Sequence, residues 1–91
     1  MSESIAIGLK RAAIALAEEL DHARAAEKLN ISSAELRKEI SELETLLCLH
    51  IFKPRQKKVE LTEDGQFLIK AFREAIAIHD RNASKGADES S

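Results

Sequence analysis

Residues 21–47 read DHARAAEKLNISSAELRKEISELETLL, and this stretch decides the fold. Asp21 is a typical N-cap residue, and we expect a short helix over residues 22–29 behind it. Only the dipeptide Asn-Ile separates that helix from Ser32, which leaves room for a tight turn. Ser32 and Glu35 have the spacing of a capping box, in which each side chain satisfies a free backbone amide of the other residue. The stretch therefore predicts two helices joined by a tight turn.

Apolar residues recur at helical spacing on both sides of that turn and in the segment before it. The inward-facing residues are Ala25, Ala26 and Leu29 before the turn, and Leu36, Ile40, Leu43 and Leu47 after it. A further helix is predicted over residues 4–19, with a buried stripe of Ile5, Leu9, Ala13, Leu16 and Leu20. Three helices with one apolar stripe each can enclose a common core.

The helical pattern stops after residue 49. Residues 51–53 and 58–61 are short and partly alternating, and with residues 54–57 between them they predict a small β-hairpin. Thr62 has the position of an N-cap for a fourth helix that reaches about residue 80. We expect residues 83–91, which contain no apolar residue larger than alanine, to form a disordered tail.

These elements predict a mainly α, winged helix-turn-helix fold with a three-helix core, a short two-stranded wing and a long C-terminal helix. We divide the chain into a winged domain at residues 1–62, a linker helix at residues 63–82 and the tail at residues 83–91. A chain of 91 residues forms one domain of this kind.

The charge of the chain counts against nucleic-acid binding, but its distribution does not. Fourteen Lys and Arg face sixteen Asp and Glu, which gives a net charge of −2, whereas phosphate contacts usually come from basic domains. On a wheel of about 100° per residue, the helix after the turn has three faces. One is apolar, one carries the acidic stripe of Glu35, Glu39 and Glu42, and one is small, polar and basic.

The basic face is the one that predicts DNA contact, because the second helix of a helix-turn-helix lies in the major groove. Its residues are Ser33, Ala34, Arg37, Lys38 and Ser41, and Ser32, which opens the helix, is a predicted DNA contact beside them. Glu44 falls between the apolar and basic faces, and we expect it to join two helices by a salt bridge.

The hairpin is the second basic feature. Lys53, Arg55, Lys57 and Lys58 place four cations within six residues and no acid among them. Such a wing can lie along the phosphate backbone or reach a minor groove, although a merely solvated charge run is the alternative. The predicted wing contacts are Arg55, Gln56, Lys57 and Lys58.

Residues 25–32 read AAEKLNIS, and residues 61–65 read LTEDG. Together with Leu36, Ile40, Leu43, Glu44, Leu47, Ile51 and Phe52, these segments resemble the N-terminal DNA-binding domain of the LysR-type transcriptional regulators. The resemblance covers about residues 18–68. It implies a winged helix-turn-helix that dimerises through its long fourth helix and binds a two-fold related site in double-stranded DNA.

Several positions depart from the pattern of that family. Ser33 and Ala34 stand where Gln and Pro are usual, and Ser33 cannot match the bidentate base readout of Gln. Glu35 and Glu39 replace neutral residues, and Ser41 stands where a basic residue is common. Cys48 replaces a usual Gly and is strained if that position has a positive φ. The effector-binding domain of the family is missing, so we expect no small-molecule effector site in this chain and weaker base discrimination than is usual.

The fourth helix carries an apolar arc of roughly 200°, whereas packing on one small core requires only about 100°. The excess predicts a homodimer, although a helix buried in its own domain is the alternative. The predicted dimerisation residues are Ile7, Ile14, Phe67, Leu68, Ala71, Phe72, Ala75, Ile76, Ile78 and His79. A two-fold dimer would place two recognition helices about 34 Å apart, which is one turn of DNA.

Other chemistry has little support in the sequence. A single cysteine, Cys48, fits a reducing cytoplasm, and a redox role for it stays open. The histidines are isolated, so we expect no metal site and no cofactor, and we interpret His22 as a packing residue. No segment is apolar enough to span a membrane, and no signal peptide is visible. No nucleophile-and-base constellation points to an enzyme.

Two functions remain. The first is a cytoplasmic, bacterial transcriptional regulator that binds DNA as a homodimer. The alternative, which the net charge and the acidic stripe favour, is a winged-helix interaction module that has lost specific DNA binding. Such a module would form a heterodimer with a related regulator.

Overall fold

The structure, a computed structural model, describes the backbone of residues 6–90 and the side chains of residues 6–78. Its elements follow in the order α1 Ile7–Glu19, α2 His22–Leu29, α3 Ser33–Leu47, β1 Phe52–Arg55, β2 Lys58–Leu61 and α4 Glu63–Ser90. This order confirms the predicted mainly α, winged helix-turn-helix fold. The predicted start of the first helix at residue 4 lies outside the described residues, and α1 begins at Ile7.

The turn between α2 and α3 is fixed from both sides. Asp21 Oδ1 accepts hydrogen bonds from two backbone amides of the first turn of α2, the shorter at 2.9 Å. Ser32 Oγ accepts from the Glu35 amide at 3.0 Å, as the predicted capping box requires of the serine. Each bond satisfies an amide that has no partner within its helix. Asn30 ends α2 with a φ of 64°, a conformation that asparagine tolerates.

The core lies where α1, α2, α3, the N-terminal part of α4 and the foot of the wing meet. Its largest fully buried side chains are Leu16, Leu36, Leu43 and Ile51. Alanines on α1 and α2 complete the core and let the helices approach closely. Burial of each large aliphatic side chain contributes about 1.5–3 kcal/mol, so this small aliphatic core accounts for much of the stability.

The wing is an antiparallel hairpin with a two-residue loop. Lys53 lies opposite Glu60, Pro54 opposite Val59, and Arg55 opposite Lys58. The first strand is therefore longer than predicted and includes Pro54, which a two-stranded ribbon accepts because each strand has an open edge. The loop is Gln56-Lys57, and Gln56 has a φ of 56°.

Thr62 and Gly65 fix the foot of the wing to α4. Thr62 Oγ1 donates to His50 O at 2.6 Å and accepts from the Gly65 amide at 2.9 Å. A Cβ atom on Gly65 would lie 2.1 Å from Ile51 O, so only glycine allows this approach. The predicted N-cap role of Thr62 is confirmed.

Cys48 ends α3 with a φ of 59°. The condition for strain at this position is therefore met, and a non-glycine residue there carries strain of about 1–2 kcal/mol. Leu20 ends α1 in the same left-handed conformation, with a φ of 56°.

The fourth helix is longer than its sequence predicts. It extends over Glu63–Ser90, so the backbone of residues 83–90 is helical where we expected a disordered tail. The segment contains no proline, and its alanine, lysine and glutamate residues sustain a helix in spite of Gly86, which costs about 1 kcal/mol. The division at residues 62 and 82 stays a prediction.

Candidate nucleic-acid interface

The predicted contact residues of α3 form one accessible face. Ser32, Ala34, Arg37, Lys38 and Ser41 are exposed, and Ser33 is half-buried. In the described part of the chain, neither Arg37 nor Lys38 forms an ion pair with a carboxylate. Their charge is therefore available to an incoming anion.

The wing differs, because carboxylates accompany most of its cations. Glu60 Oε2 lies 3.5 Å from Lys53 Nζ, and Glu60 Oε1 lies 3.5 Å from Arg55 Nη1. Lys58 Nζ lies 4.0 Å from Asp21 Oδ2. Of the four wing cations, only Lys57 has no ion pair in the described part of the chain. Residues 53–58 contain no acid of their own. Glu60 comes close to Lys53 and Arg55 through the pairing of the two strands, and Asp21 comes close to Lys58 through the packing of the wing on the start of α2.

An open groove separates α3 from the wing. Its walls carry Arg37 of α3 and Lys53, Lys57 and Lys58 of the wing, and its floor is apolar. His22, at the start of α2, also lines it. The sequence predicted only a packing role for this histidine, because a wheel of α2 alone cannot reveal what the wing brings close.

The groove shifts the titration of His22. Partial burial, followed by the positive charge of Arg37, lowers the pKa of His22 from its usual value, while Asp21 opposes the shift. At neutral pH the imidazole of the free protein is therefore mainly uncharged.

Glu44 positions the wing on α3. Its Oε2 accepts hydrogen bonds from the Ile51 amide at 2.7 Å and the Phe52 amide at 3.1 Å. The predicted salt bridge between two helices is therefore wrong. The carboxylate instead satisfies backbone donors at the start of β1, and its Oε1 lies 3.6 Å from His50 Nδ1.

The predicted dimerisation residues do not share one environment. Phe67 and Ile78 are 77% and 53% exposed, and Ala71 lies between them on the same side of α4. We call Phe67, Ala71 and Ile78 the outer face of α4. Phe72 is only 5% exposed because it packs in the core of its own chain, so its assignment to the dimer surface was wrong.

The other predicted dimerisation residues lie at the border between core and surface. The half-buried residues are Ile7, Ile14, Leu68, Ala75 and Ile76. Ile14 and Ile76 line one shallow apolar hollow between α1 and α4. The side chain of His79 lies outside the described residues.

An ion cluster that includes two lining residues of this hollow, Glu18 and Lys28, joins three helices. Lys28 forms a hydrogen-bonded pair with Glu18 and lies 3.8 Å from Glu19, and Arg73 Nη2 lies 3.7 Å from Glu18 Oε2. The hydrogen bond from Lys28 lowers the pKa of Glu18, and the same bond raises the pKa of Lys28. The cluster fixes α4 to α1 and α2.

Two other kinds of site have no counterpart in the described residues. No three His, Cys, Asp or Glu side chains within residues 6–78 converge as metal ligands would. Among the helices of the described chain, none is both long and apolar enough to cross a membrane.

Comparison with known proteins decides the family. Residues 9–66, more than half of the chain, match the family described as bacterial regulatory helix-turn-helix protein, lysR family. The chain belongs to the LysR family. This LysR-family domain is a DNA-binding, winged helix-turn-helix unit of a transcription regulator, and neither its family nor its fold is that of an enzyme. A search of curated proteins finds no match.

Solved structures share the fold of this LysR-family domain. A complex of the CbnR DNA-binding domain with DNA superposes with a TM-score of 0.90 at 21% identity, covering 96% of this chain and 100% of that one. The BenM DNA-binding domain with benA site 1 DNA gives 0.91 at 24% identity, covering 96% and 98%. DarR of Vibrio fischeri in complex with DNA gives 0.90 at 20% identity, covering 97% of this chain and 30% of that one.

Proposed function

We propose that this domain binds double-stranded DNA as a homodimer and regulates transcription. The recognition helix α3 enters the major groove, and the wing follows the backbone or the edge of the minor groove. The observation that carries the proposal is the exposed pair Arg37 and Lys38, free of ion pairs with carboxylates in the described chain, beside a groove that Lys57 also lines. The bacterial family goes with a cytoplasmic location.

The comparisons support the same mode of binding. The CbnR and BenM domains, which share this fold, have been solved in complex with DNA. We extend to this chain the expectation that the N-cap Ser32 and Ser33, Ala34, Arg37, Lys38 and Ser41 of α3 approach base edges, and that Arg55, Gln56, Lys57 and Lys58 of the wing lie near phosphates. Among these wing residues Lys57 contributes most of the charge, because Glu60 accompanies Arg55 and Asp21 accompanies Lys58.

Selection of bound duplexes from a random pool tests the proposal. The wild-type chain should enrich a site with two related half-sites about one helical turn apart. Arg37→Ala should reduce the enrichment, while Lys10→Ala, a cation on α1, should not. Enrichment of no sequence, and retention of no duplex at low salt, would refute the proposal.

The outer face of α4 supports the homodimer. Phe67 and Ile78 leave large apolar areas in water, and a second copy of the helix would cover them. Sedimentation of the full chain should show a dimer. Phe67→Glu should shift it to monomer, whereas Phe67→Leu should not. A wild-type monomer at micromolar concentration would contradict this part.

The acidic stripe favours a second candidate function. Glu35 and Glu42 are exposed on α3 and no cation pairs with them in the described part of the chain. A domain that repels DNA in this way would instead form a heterodimer with a related regulator. Pull-down with the purified chain that recovers such a regulator, together with failure of the duplex selection, would favour this function.

A further inference from the structure

The groove between α3 and the wing combines charges from both elements. Arg37 stands on one side, and Lys57 and Lys58 stand on the other. The one carboxylate at its wall, Glu44, is directed at the backbone amides of Ile51 and Phe52 and is half-buried. The groove therefore offers net positive charge to a ligand.

Docking geometry indicates which ligand reaches this groove. If α3 lies in the major groove and the wing lies at the minor groove, the strand that separates the two grooves passes over the gap between α3 and the wing. A backbone phosphate of that strand faces Arg37 and the wing lysines. The occupant is then a phosphodiester of duplex DNA rather than a base.

His22 is the member of the groove that the proposed function has not used. It is half-buried, and the groups that face it are Arg37 and Glu44 of α3, Lys53, Lys57 and Lys58 of the wing, and its neighbour Asp21. In the free protein partial burial, followed by the positive charge of Arg37, lowers the pKa of His22 and keeps the imidazole uncharged, and the wing lysines are further cations of the same groove. A phosphate would neutralise those cations and favour the charged imidazolium.

We propose that a backbone phosphate of duplex DNA occupies the groove between α3 and the wing, and that His22 takes up a proton when this phosphate binds. This inference rests on the proposed DNA binding. Arg37 and Lys57 carry most of the charge, and the imidazolium of His22 donates a hydrogen bond to the phosphate oxygen. The proton comes from the solvent, and the phosphodiester itself does not titrate in this range.

The direction in which DNA affinity changes with pH follows from the coupling between DNA binding and proton uptake by His22. The pKa of His22 is lowered in the free protein and is higher in the complex, so the complex holds more protons. Affinity for DNA therefore falls as pH rises between the two pKa values, by at most about tenfold per pH unit for one proton. Above both values the dependence on His22 disappears.

Anisotropy titrations of the selected duplex at constant ionic strength test this. Between pH 6 and pH 8 the affinity of the wild-type dimer should fall about fivefold. His22→Gln should bind with an affinity that changes less than about twofold over this range. His50→Gln is the matched control, because His50 does not line this groove and is 84% exposed, and it should keep the wild-type dependence.

A second measurement covers the case in which His22→Gln disturbs folding. Nuclear magnetic resonance of the wild-type imidazole should give a higher pKa for His22 with DNA bound than without it. An unchanged pKa, or a His22→Gln variant that keeps the full pH dependence, would overturn the inference while leaving DNA binding intact. Loss of binding at every pH by the wild type would instead overturn the proposed function.

Discussion

The recognition helix carries two cations and the wing carries four, but the two elements differ in how much of that charge is available. Arg37 and Lys38 on α3 have no carboxylate partner in the described part of the chain, whereas Lys53, Arg55 and Lys58 on the wing each have one. A count of cations along the sequence therefore overstates the positive charge that the wing can offer to DNA. It follows that α3 supplies a larger share of the attraction for DNA than the number of its cations alone would indicate.

The connection between the two regions gives the largest expected effect. Glu44→Ala leaves the amides of Ile51 and Phe52 without their acceptor, and hydrogen bonds to charged groups contribute about 1.5–3 kcal/mol. We expect the domain to lose about 2 kcal/mol of stability, which lowers the melting temperature by roughly 10 °C. Thermal unfolding by circular dichroism measures this.

Thr45→Ala, an exposed position one residue further along α3, is the control for Glu44→Ala and should change the melting temperature little. If Glu44→Ala melts like the wild type, the carboxylate does not hold the wing on α3.

Arg37→Ala should give the next largest effect, now on DNA binding. Loss of one direct groove contact costs about 1–3 kcal/mol, so we expect about 20-fold weaker binding to the selected duplex. Binding to unrelated duplexes should weaken less, because there Arg37 has only its phosphate contact to lose and no base contact. Arg55→Ala is the matched control on the wing, and its loss should be less than about twofold because Glu60 already accompanies that guanidinium. A larger loss for Arg55→Ala than for Arg37→Ala would reverse the comparison.

Cys48→Gly tests the junction at which α3 turns toward the wing. Cys48 holds a φ of 59°, which glycine adopts without a Cβ penalty. We expect a gain of about 1 kcal/mol in the free energy of unfolding, measured by urea denaturation. Asn30→Gly changes the residue that ends α2 at a φ of 64° and should gain little, since asparagine tolerates this conformation. Equal gains at both positions would contradict the explanation.

Glu60→Gln should have the smallest effect, and it should strengthen DNA binding where Arg37→Ala weakens it. The substitution removes the carboxylate that pairs with Lys53 and Arg55. DNA affinity should rise about threefold at low salt, and the salt dependence should steepen by about one phosphate contact. Glu27→Gln makes the same charge change on α2, away from the wing. It should raise the affinity less, and an equal rise would show that only net charge matters.

The sequence predicts most of the fold because the decisive signals are local. The caps at Asp21 and Ser32 and the hairpin after residue 49 each depend on neighbours a few residues apart, and the structure agrees with them. Phe72 was misassigned because an apolar arc does not tell which side meets the core.

The candidate site was less predictable because its pairings cross elements. Lys53 meets Glu60 through strand register, Lys58 meets Asp21 through the packing of the wing on α2, and Glu44 reaches backbone amides rather than a side chain. None of these pairs has a spacing that sequence periodicity reveals. The position of His22 in the groove between α3 and the wing likewise depends on packing between elements that are distant in sequence.

The salt dependence of DNA binding tests the central claim most directly. The affinity of the wild-type chain for its selected duplex, followed by fluorescence anisotropy from 50 to 300 mM salt, should fall linearly on logarithmic axes. Arg37→Ala and Lys57→Ala should each reduce the slope by about one unit, and Arg55→Ala should leave it nearly unchanged. Absence of binding at 50 mM salt by a protein shown to be folded would contradict the account.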